Sequence, residues 1–67
     1  MKQGTVKWFD CKKGYGFIVP DDGPKDVFVH ITQIEKIGLC RLHDGQRVSY
    51  DVYNDRGRMA AGNISLL

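Results

Sequence analysis

The sequence predicts an all-β fold, a small closed barrel of five short strands with a short helical turn after the third. Five segments carry β-branched and aromatic side chains in the alternation that is typical of strands. Glycine, proline, asparagine and aspartate separate these segments and favour turns. Residues 1–67 make one domain, too small to cover both sides of an open sheet. Closure into a barrel also removes the sheet edges that invite aggregation.

The first two strands follow directly from composition and turn residues. Thr5–Asp10 contains Thr, Val, Trp and Phe, all residues that favour strands. Lys12–Gly14 is expected to turn the chain, and Tyr15–Val19 to form the second strand. That strand should end at Pro20, because proline has no N–H to donate to a neighbouring strand. Residues 21–24, Asp-Asp-Gly-Pro, have the composition of a loop.

The third strand is predicted over Asp26–Ile31 and leads into the helical turn. Thr32 followed three residues later by Glu35 matches a capping box, the pattern that starts many helices. Gly38 follows so closely that only one or two helical turns can fit.

The last two strands form a predicted hairpin. Leu39–Gly45 is expected to be a connecting loop, and Gln46–Tyr53 alternates as a strand. Asn54–Gly57 has the composition of a hairpin turn. Met59–Leu66 is the fifth strand, with Ile64 as its clearest core residue.

Strands two and three are apolar on both faces. One face is aliphatic and should fill the barrel together with residues of later strands: Ile18, Val27, Val29, Val48 and Ile64. The other face is aromatic and should then meet water: Tyr15, Phe17, Phe28 and His30. A contiguous exposed apolar patch of this kind usually marks a binding surface.

The aromatic residues are concentrated near cations. Of the seven Phe, Trp and Tyr residues, five lie between Trp8 and Phe28. Lys7, Lys12 and Lys13 stand beside them. Rings interleaved with cations suit single-stranded nucleic acid, because bases stack on the rings and phosphates pair with the lysines.

Trp8 presents a conflict in this scheme. Strict alternation places Trp8 on the same face as Val6, which is a core candidate. If Val6 is buried, a β-bulge or strong coiling of the strand must turn Trp8 outward.

The remaining composition excludes several classes of protein. The formal net charge is only +2, so polyanion binding must come from local placement of charge. No apolar run approaches the roughly 18 residues of a membrane span, and no secretion signal is evident. We therefore expect a cytoplasmic protein with reduced thiols at Cys11 and Cys40. Cys40 and His43 could begin a metal site, but no second Cys/His pair follows, so we expect neither metal nor cofactor.

Five sequence blocks closely resemble the bacterial cold-shock protein family. They are GTVKWFD at Gly4–Asp10, KGYGFI at Lys13–Ile18, DVFVH at Asp26–His30, DGQRVSY at Asp44–Tyr50 and AAGNI at Ala60–Ile64. The resemblance implies a five-stranded antiparallel barrel of oligonucleotide-binding type. It also implies a low-specificity binder of single-stranded RNA and DNA, often pyrimidine-rich, that acts as an RNA chaperone or transcription antiterminator.

The resemblance also implies which residues bind. The family's binding positions fall on Lys7, Trp8, Lys13, Tyr15, Phe17, Phe28, His30 and Arg56. We expect Phe9 to extend the stacking surface. Lys12 and Arg58 are weaker cation candidates, and Arg58 stands where the family often has proline. Ile31 and Leu39 replace aromatic residues, and Asp10 replaces asparagine and brings a negative charge near the phosphates. We expect weaker binding than in typical members.

Two other functions are consistent with some of these residues. A nuclease would use His30 and His43 as acid and base, but nothing in the sequence brings them together. A protein-interaction module would use the same aromatic patch on a peptide, although the lysines favour a polyanion. A monomer is expected, with strand exchange into a swapped dimer as the alternative.

Overall fold

The computed structural model describes residues 1–67 and contains every predicted element. The elements are β1 (Lys2–Asp10), β2 (Tyr15–Pro20), β3 (Val27–His30), α1 (Ile31–Glu35), β4 (Arg47–Asp55) and β5 (Arg58–Leu66). Most strand boundaries differ from the predicted ones, by one to three residues. β1 begins before Thr5, β4 continues through Asp55, and Ile31 opens the helix instead of closing the third strand.

The five strands close into a barrel in the order β1-β2-β3-β5-β4, with β4 paired to β1. The predicted barrel is confirmed, but it is not antiparallel throughout: β3 and β5 run parallel. The reason is parity. A closed ring with an odd number of strands cannot alternate direction at every pairing, so one neighbouring pair must be parallel. That seam is short, with Phe28 opposite Ala60 as its single paired position.

The aliphatic face of the sheet fills the barrel, as predicted. The buried cluster consists of Val6, Ile18, Val27, Val29, Ile34, Leu42, Val48, Tyr50, Ala61 and Ile64. Tyr50 is its largest member, and its hydroxyl has no hydrogen-bond partner. Burial raises the pKa of the Tyr50 hydroxyl, because the phenolate would be poorly solvated there.

The capping-box prediction at Thr32 is wrong. The chain is still extended at His30, which is the N-cap residue of α1. The backbone N–H of Thr32 donates to Nδ1 of His30 (3.2 Å), so an imidazole takes the place expected of a hydroxyl. The helix then places Ile34 in the barrel core.

Ion pairs hold the β2–β3 loop at the end of the barrel away from the helix. Both terminal nitrogens of the Arg47 guanidinium donate to the Asp21 carboxylate, each at 2.7 Å. Lys2 Nζ donates to Asp22 at 2.8 Å. These hydrogen bonds lower the pKa of both carboxyl groups, since each stabilises the ionised form.

The single helix, α1, does not have the length and apolar character required to cross a bilayer.

Candidate nucleic-acid interface

A β-bulge in β1 settles the orientation of Trp8. Val6 pairs with Ile18 and Trp8 pairs with Phe17, so the intervening Lys7 has no partner on β2. The extra residue lets Val6 stay buried while Trp8 turns to the outer face. Of the two expected ways to turn Trp8 outward, a β-bulge or strong coiling, the structure shows the bulge.

The outer face of β1, β2 and β3 carries a continuous cluster of five rings. We call Trp8, Tyr15, Phe17, Phe28 and His30 the aromatic cluster. Trp8 lies 5.3 Å from Phe17 and 5.7 Å from Tyr15 between ring centroids, in edge-to-face orientation. Phe28 lies 5.7 Å from Tyr15, 5.9 Å from Phe17 and 6.2 Å from His30. Because no pair is stacked face to face, ring faces are left for other planar groups.

Phe28 is the exception to the predicted exposure of this face. It points away from the core, yet only 5% of its surface is exposed. Its neighbouring rings cover its edges, and the Arg58 guanidinium lies over its face with Cζ 3.9 Å from the ring centroid. The expectation that all four rings of β2 and β3 meet water is therefore wrong at Phe28. The sequence offered no signal for this contact, which joins two residues far apart in the chain.

Phe9 lies apart from the aromatic cluster. It packs against the hydrophobic core, and its ring lies over Gly16. A Cβ on Gly16 would come within 2.4 Å of the Trp8 carbonyl oxygen and 2.7 Å of Phe9 Cδ2. Gly16 is therefore required because β1 and the Phe9 ring approach it closely.

His30 joins the aromatic cluster to the helix. Its side chain is exposed, and Nδ1 accepts the Thr32 N–H. The same nitrogen lies 3.0 Å from Thr32 Oγ1, so both the backbone and the side chain of Thr32 contact the ring. These contacts fix the ring beside Phe28.

The cations near the cluster fall into two groups. Lys12, Lys13 and Arg56 are exposed and have no carboxylate partner. Lys7 instead pairs with Asp26, with Nζ 3.0 Å from a carboxylate oxygen. The first group is available to phosphates without breaking a contact, whereas Lys7 must exchange one partner for another.

Asp10 has a structural role that the sequence did not reveal. One of its carboxylate oxygens accepts the backbone N–H groups of Lys12 (2.9 Å) and Lys13 (3.1 Å). It thereby satisfies two donors in the β1–β2 turn and holds the two lysines beside the cluster.

Comparison with known proteins agrees with this geometry. The model of the 'cold-shock' DNA-binding domain matches residues 2–67. The chain belongs to the cold-shock domain family. Its relatives include the probable cold shock protein y4cH of Sinorhizobium fredii, 56% identical over 96% of each chain. The cold shock protein CspA of Rhizobium meliloti is 50% identical over 96% of each chain. The cold shock-like protein CspE of Escherichia coli is 46% identical, over 97% of this chain and 94% of the relative.

Two positions of this cold-shock domain, expected to extend the binding surface, contribute packing to the core instead. Ile31 and Leu39 are half-buried and both pack against the hydrophobic core. Neither carries a ring, so the aromatic surface is limited to the five rings. The aliphatic side chains at these positions support the barrel more than they extend the surface.

The structure holds no group of three or more His, Cys, Asp or Glu side chains arranged to bind a metal ion. Cys11 and Cys40 are free and exposed.

Proposed function

We propose that this cold-shock domain, residues 1–67, binds single-stranded RNA and DNA with low sequence preference and favours pyrimidine-rich strands. It acts as a monomer in the cytoplasm, as an RNA chaperone or antiterminator-like regulator, and it does not cleave the strand. The observation that carries the proposal is the aromatic cluster, five contiguous rings on the outside of the barrel.

The chemistry of the cluster supports bases as the ligand. Every base has a π-face, and stacking on an aromatic side chain contributes roughly 1–3 kcal/mol per base regardless of sequence. The edge-to-face packing of Trp8 with Tyr15 and Phe17 leaves ring faces for such stacking. Lys12, Lys13 and Arg56 are exposed, and Arg56 lines a recess together with Phe28 and His30, so we expect phosphates of the same strand to pass near these cations.

The proposed mechanism is passive. The protein binds only the open strand, so binding shifts RNA away from hairpins without hydrolysing a nucleotide. Lys7, Lys13 and Arg56 supply the main charge, with Lys12 and Arg58 in addition. With at most about five phosphate contacts, the slope of log affinity against log salt should be no steeper than roughly −3.5.

Trp8 provides the test, because it is the single tryptophan and lies in the cluster. We would titrate the protein with a short oligo-thymidine and follow Trp8 fluorescence at low and high salt. An abasic strand of the same length is the matched control, since it keeps the phosphates and lacks the bases. Saturable quenching by oligo-thymidine, weakened by salt and absent with the abasic strand, is the expected result.

Other outcomes would overturn parts of the proposal. Equal binding of the abasic strand would mean that charge alone holds the ligand. No binding of oligo-thymidine or RNA, with salt-insensitive capture of a peptide, would identify a protein-interaction module instead. Cleavage of single-stranded RNA into fragments on incubation with the protein would identify a nuclease.

A further inference from the structure

Arg58 occupies the position on Phe28 that a stacked base would need. Its guanidinium carbon lies 3.9 Å from the Phe28 ring centroid. Arg58 is exposed and takes part in none of the three ion pairs of the protein. Its contact with the ring is a cation–π interaction, a weak contact at an exposed site. A base and a guanidinium cannot lie on the same ring face at once.

The same side chain separates two recesses in the barrel surface. One recess has a volume of about 420 Å³ and is lined by residues that include Phe17, Lys25, Asp26 and Met59. The other has a volume of about 370 Å³ and is lined by residues that include His30, Tyr53, Asp55 and Arg56. Phe28 and Arg58 alone line both. If the Arg58 side chain moved aside, the recesses would join into one groove that crosses the Phe28 ring.

The backbone at Arg58 is fixed, so the movement belongs to the side chain. Arg56 and Gly57 form the β4–β5 turn with φ of 54° and 90°. The Gly57 N–H donates to Oδ1 of Asn54 at 3.0 Å, and Asp55 pairs with Arg58 across the hairpin. Rotation about the side-chain bonds of Arg58 uncovers Phe28 without opening this turn.

We propose that Arg58 is a gate on the Phe28 stacking position. In the free protein its guanidinium covers the face of the Phe28 ring. A base displaces it, and the released guanidinium then binds a phosphate of the same strand. This inference rests on the proposed binding of single strands and assigns to Arg58 a part in its specificity. Phosphates alone have nothing to place on the ring, so only a ligand with bases opens the gate.

The gate has opposite effects on affinity at low and high salt. Displacing the exposed Arg58 guanidinium from the Phe28 ring weakens binding by roughly two- to fivefold at every salt concentration. The bond that the released guanidinium then makes to a phosphate strengthens binding at low salt and fades as salt rises, with a contribution of about 0.7 to the salt slope. Removing the guanidinium should therefore weaken binding at low salt and strengthen it at high salt.

Nuclear magnetic resonance tests the displacement directly. Protons of the Arg58 side chain above the Phe28 ring should show upfield ring-current shifts in the free protein. Oligo-thymidine should abolish those shifts, and the abasic strand should leave them unchanged. Ring-current shifts that persist when Trp8 is saturated with oligo-thymidine would overturn the gate, because Phe28 would then remain covered.

Arg58→Gln tests the energetic consequence, with Arg41→Gln as the matched control. Arg41 is exposed and lines neither recess, so its variant removes the same charge away from Phe28. Affinities for a labelled oligo-thymidine should cross between Arg58→Gln and the wild type as salt rises, with Arg58→Gln tighter by roughly two- to fivefold at high salt. The affinity of Arg41→Gln should not cross that of the wild type at any salt concentration.

Arg58→Lys keeps the charge and should keep the wild-type salt slope. Equal affinities for Arg58→Gln and the wild type at all salt concentrations would overturn the gate while leaving single-strand binding intact. Failure of the wild type itself to bind would overturn the proposed function, and the ring-current shifts of the free protein would still report the Arg58 contact.

Discussion

The two faces of β2 and β3 are both apolar, but they perform different tasks. Ile18 and Val29 point inward, are completely buried and belong to the core cluster. Tyr15 and Phe17 point outward, keep partial exposure and meet their neighbours edge to face. Aliphatic side chains fill a narrow barrel closely, whereas rings held edge to face leave flat surfaces uncovered. Side-chain shape and packing, and not hydrophobicity, therefore distinguish the inner aliphatic face from the outer aromatic face.

The largest expected effect is the loss of stability when a core side chain on the inner face is truncated. Ile18→Ala leaves a cavity in the barrel, and we expect a loss of about 2–5 kcal/mol in the free energy of unfolding. For a domain of this size that is a large share of a total stability of about 5–15 kcal/mol. Chemical denaturation followed by far-ultraviolet circular dichroism measures the loss.

The matched control for Ile18→Ala is Val19→Ala, the next residue on the same strand. Val19 is 40% exposed and lies on the outer face. Its substitution should change stability by no more than about 0.5 kcal/mol. Similar losses for the two variants would mean that the inner and outer faces are not energetically distinct.

The outer face should show the opposite pattern. Phe17→Ala removes a ring that contacts Trp8 and Phe28, and affinity for oligo-thymidine should fall by about 1–3 kcal/mol. Its stability loss should be smaller than that of Ile18→Ala, because Phe17 is only half-buried. Anisotropy of a labelled strand is the appropriate measurement, since the substitution alters the surroundings of Trp8. Unchanged affinity would remove Phe17 from the binding surface.

The sequence predicted this division of faces because residue size and alternation determine it together. With too few residues to cover two sheet faces, the aliphatic set had to be internal, and Ile18, Val27 and Val29 are. The same logic required either a bulge or strong coiling near Trp8, and a bulge is present. What it overlooked was the consequence for the next residue. Once the bulge turns Trp8 outward, ordinary alternation returns Phe9 to the core, so the two adjacent rings do not share one surface.

Other features depended on contacts that local patterns do not contain. Phe28 is covered by Arg58 from another strand, across the parallel seam. His30 caps the helix because β3 ends at that residue in extended conformation. The hydroxyl of Thr32 matched the usual capping pattern. Because the helix begins at Ile31, directly after the strand, the cap position falls on His30 instead. These outcomes follow from where the strands end and meet, which periodicity does not specify.

Extending the outer face should increase affinity. Ile31→Phe and Leu39→Phe together add two rings at the edge of the aromatic cluster, and we expect tighter binding by about 1–3 kcal/mol in total. Both side chains now pack against the core, so overfilling should also reduce stability by about 1–3 kcal/mol. Anisotropy and denaturation measure the two effects separately.

Ile37→Phe is the control for these additions, because Ile37 is exposed and lies outside the core cluster. It should change neither affinity nor stability by more than about 0.5 kcal/mol. No gain in affinity from the double variant would mean that the missing rings do not limit binding.

The smallest expected effect concerns Asp10, where a single side chain serves the fold and opposes the ligand. Asp10→Asn keeps an oxygen that can accept the Lys12 and Lys13 N–H groups, while it removes the negative charge. Affinity for a single strand should rise by up to about 1 kcal/mol at low salt and by much less at high salt. Asp44→Asn removes the same charge from an exposed loop residue and should have a smaller effect.

Asp10→Ala separates the two roles of this residue. It removes the charge and also both hydrogen bonds, so the β1–β2 turn loses the contact that positions Lys12 and Lys13. If the charge alone matters, the alanine variant should bind as tightly as the asparagine variant. If the turn matters as well, the alanine variant should bind more weakly than the asparagine variant and unfold at lower denaturant. The second result is expected, because the turn would lose the two hydrogen bonds that order the backbone of Lys12 and Lys13, each with a net contribution of about 0.5–1.5 kcal/mol.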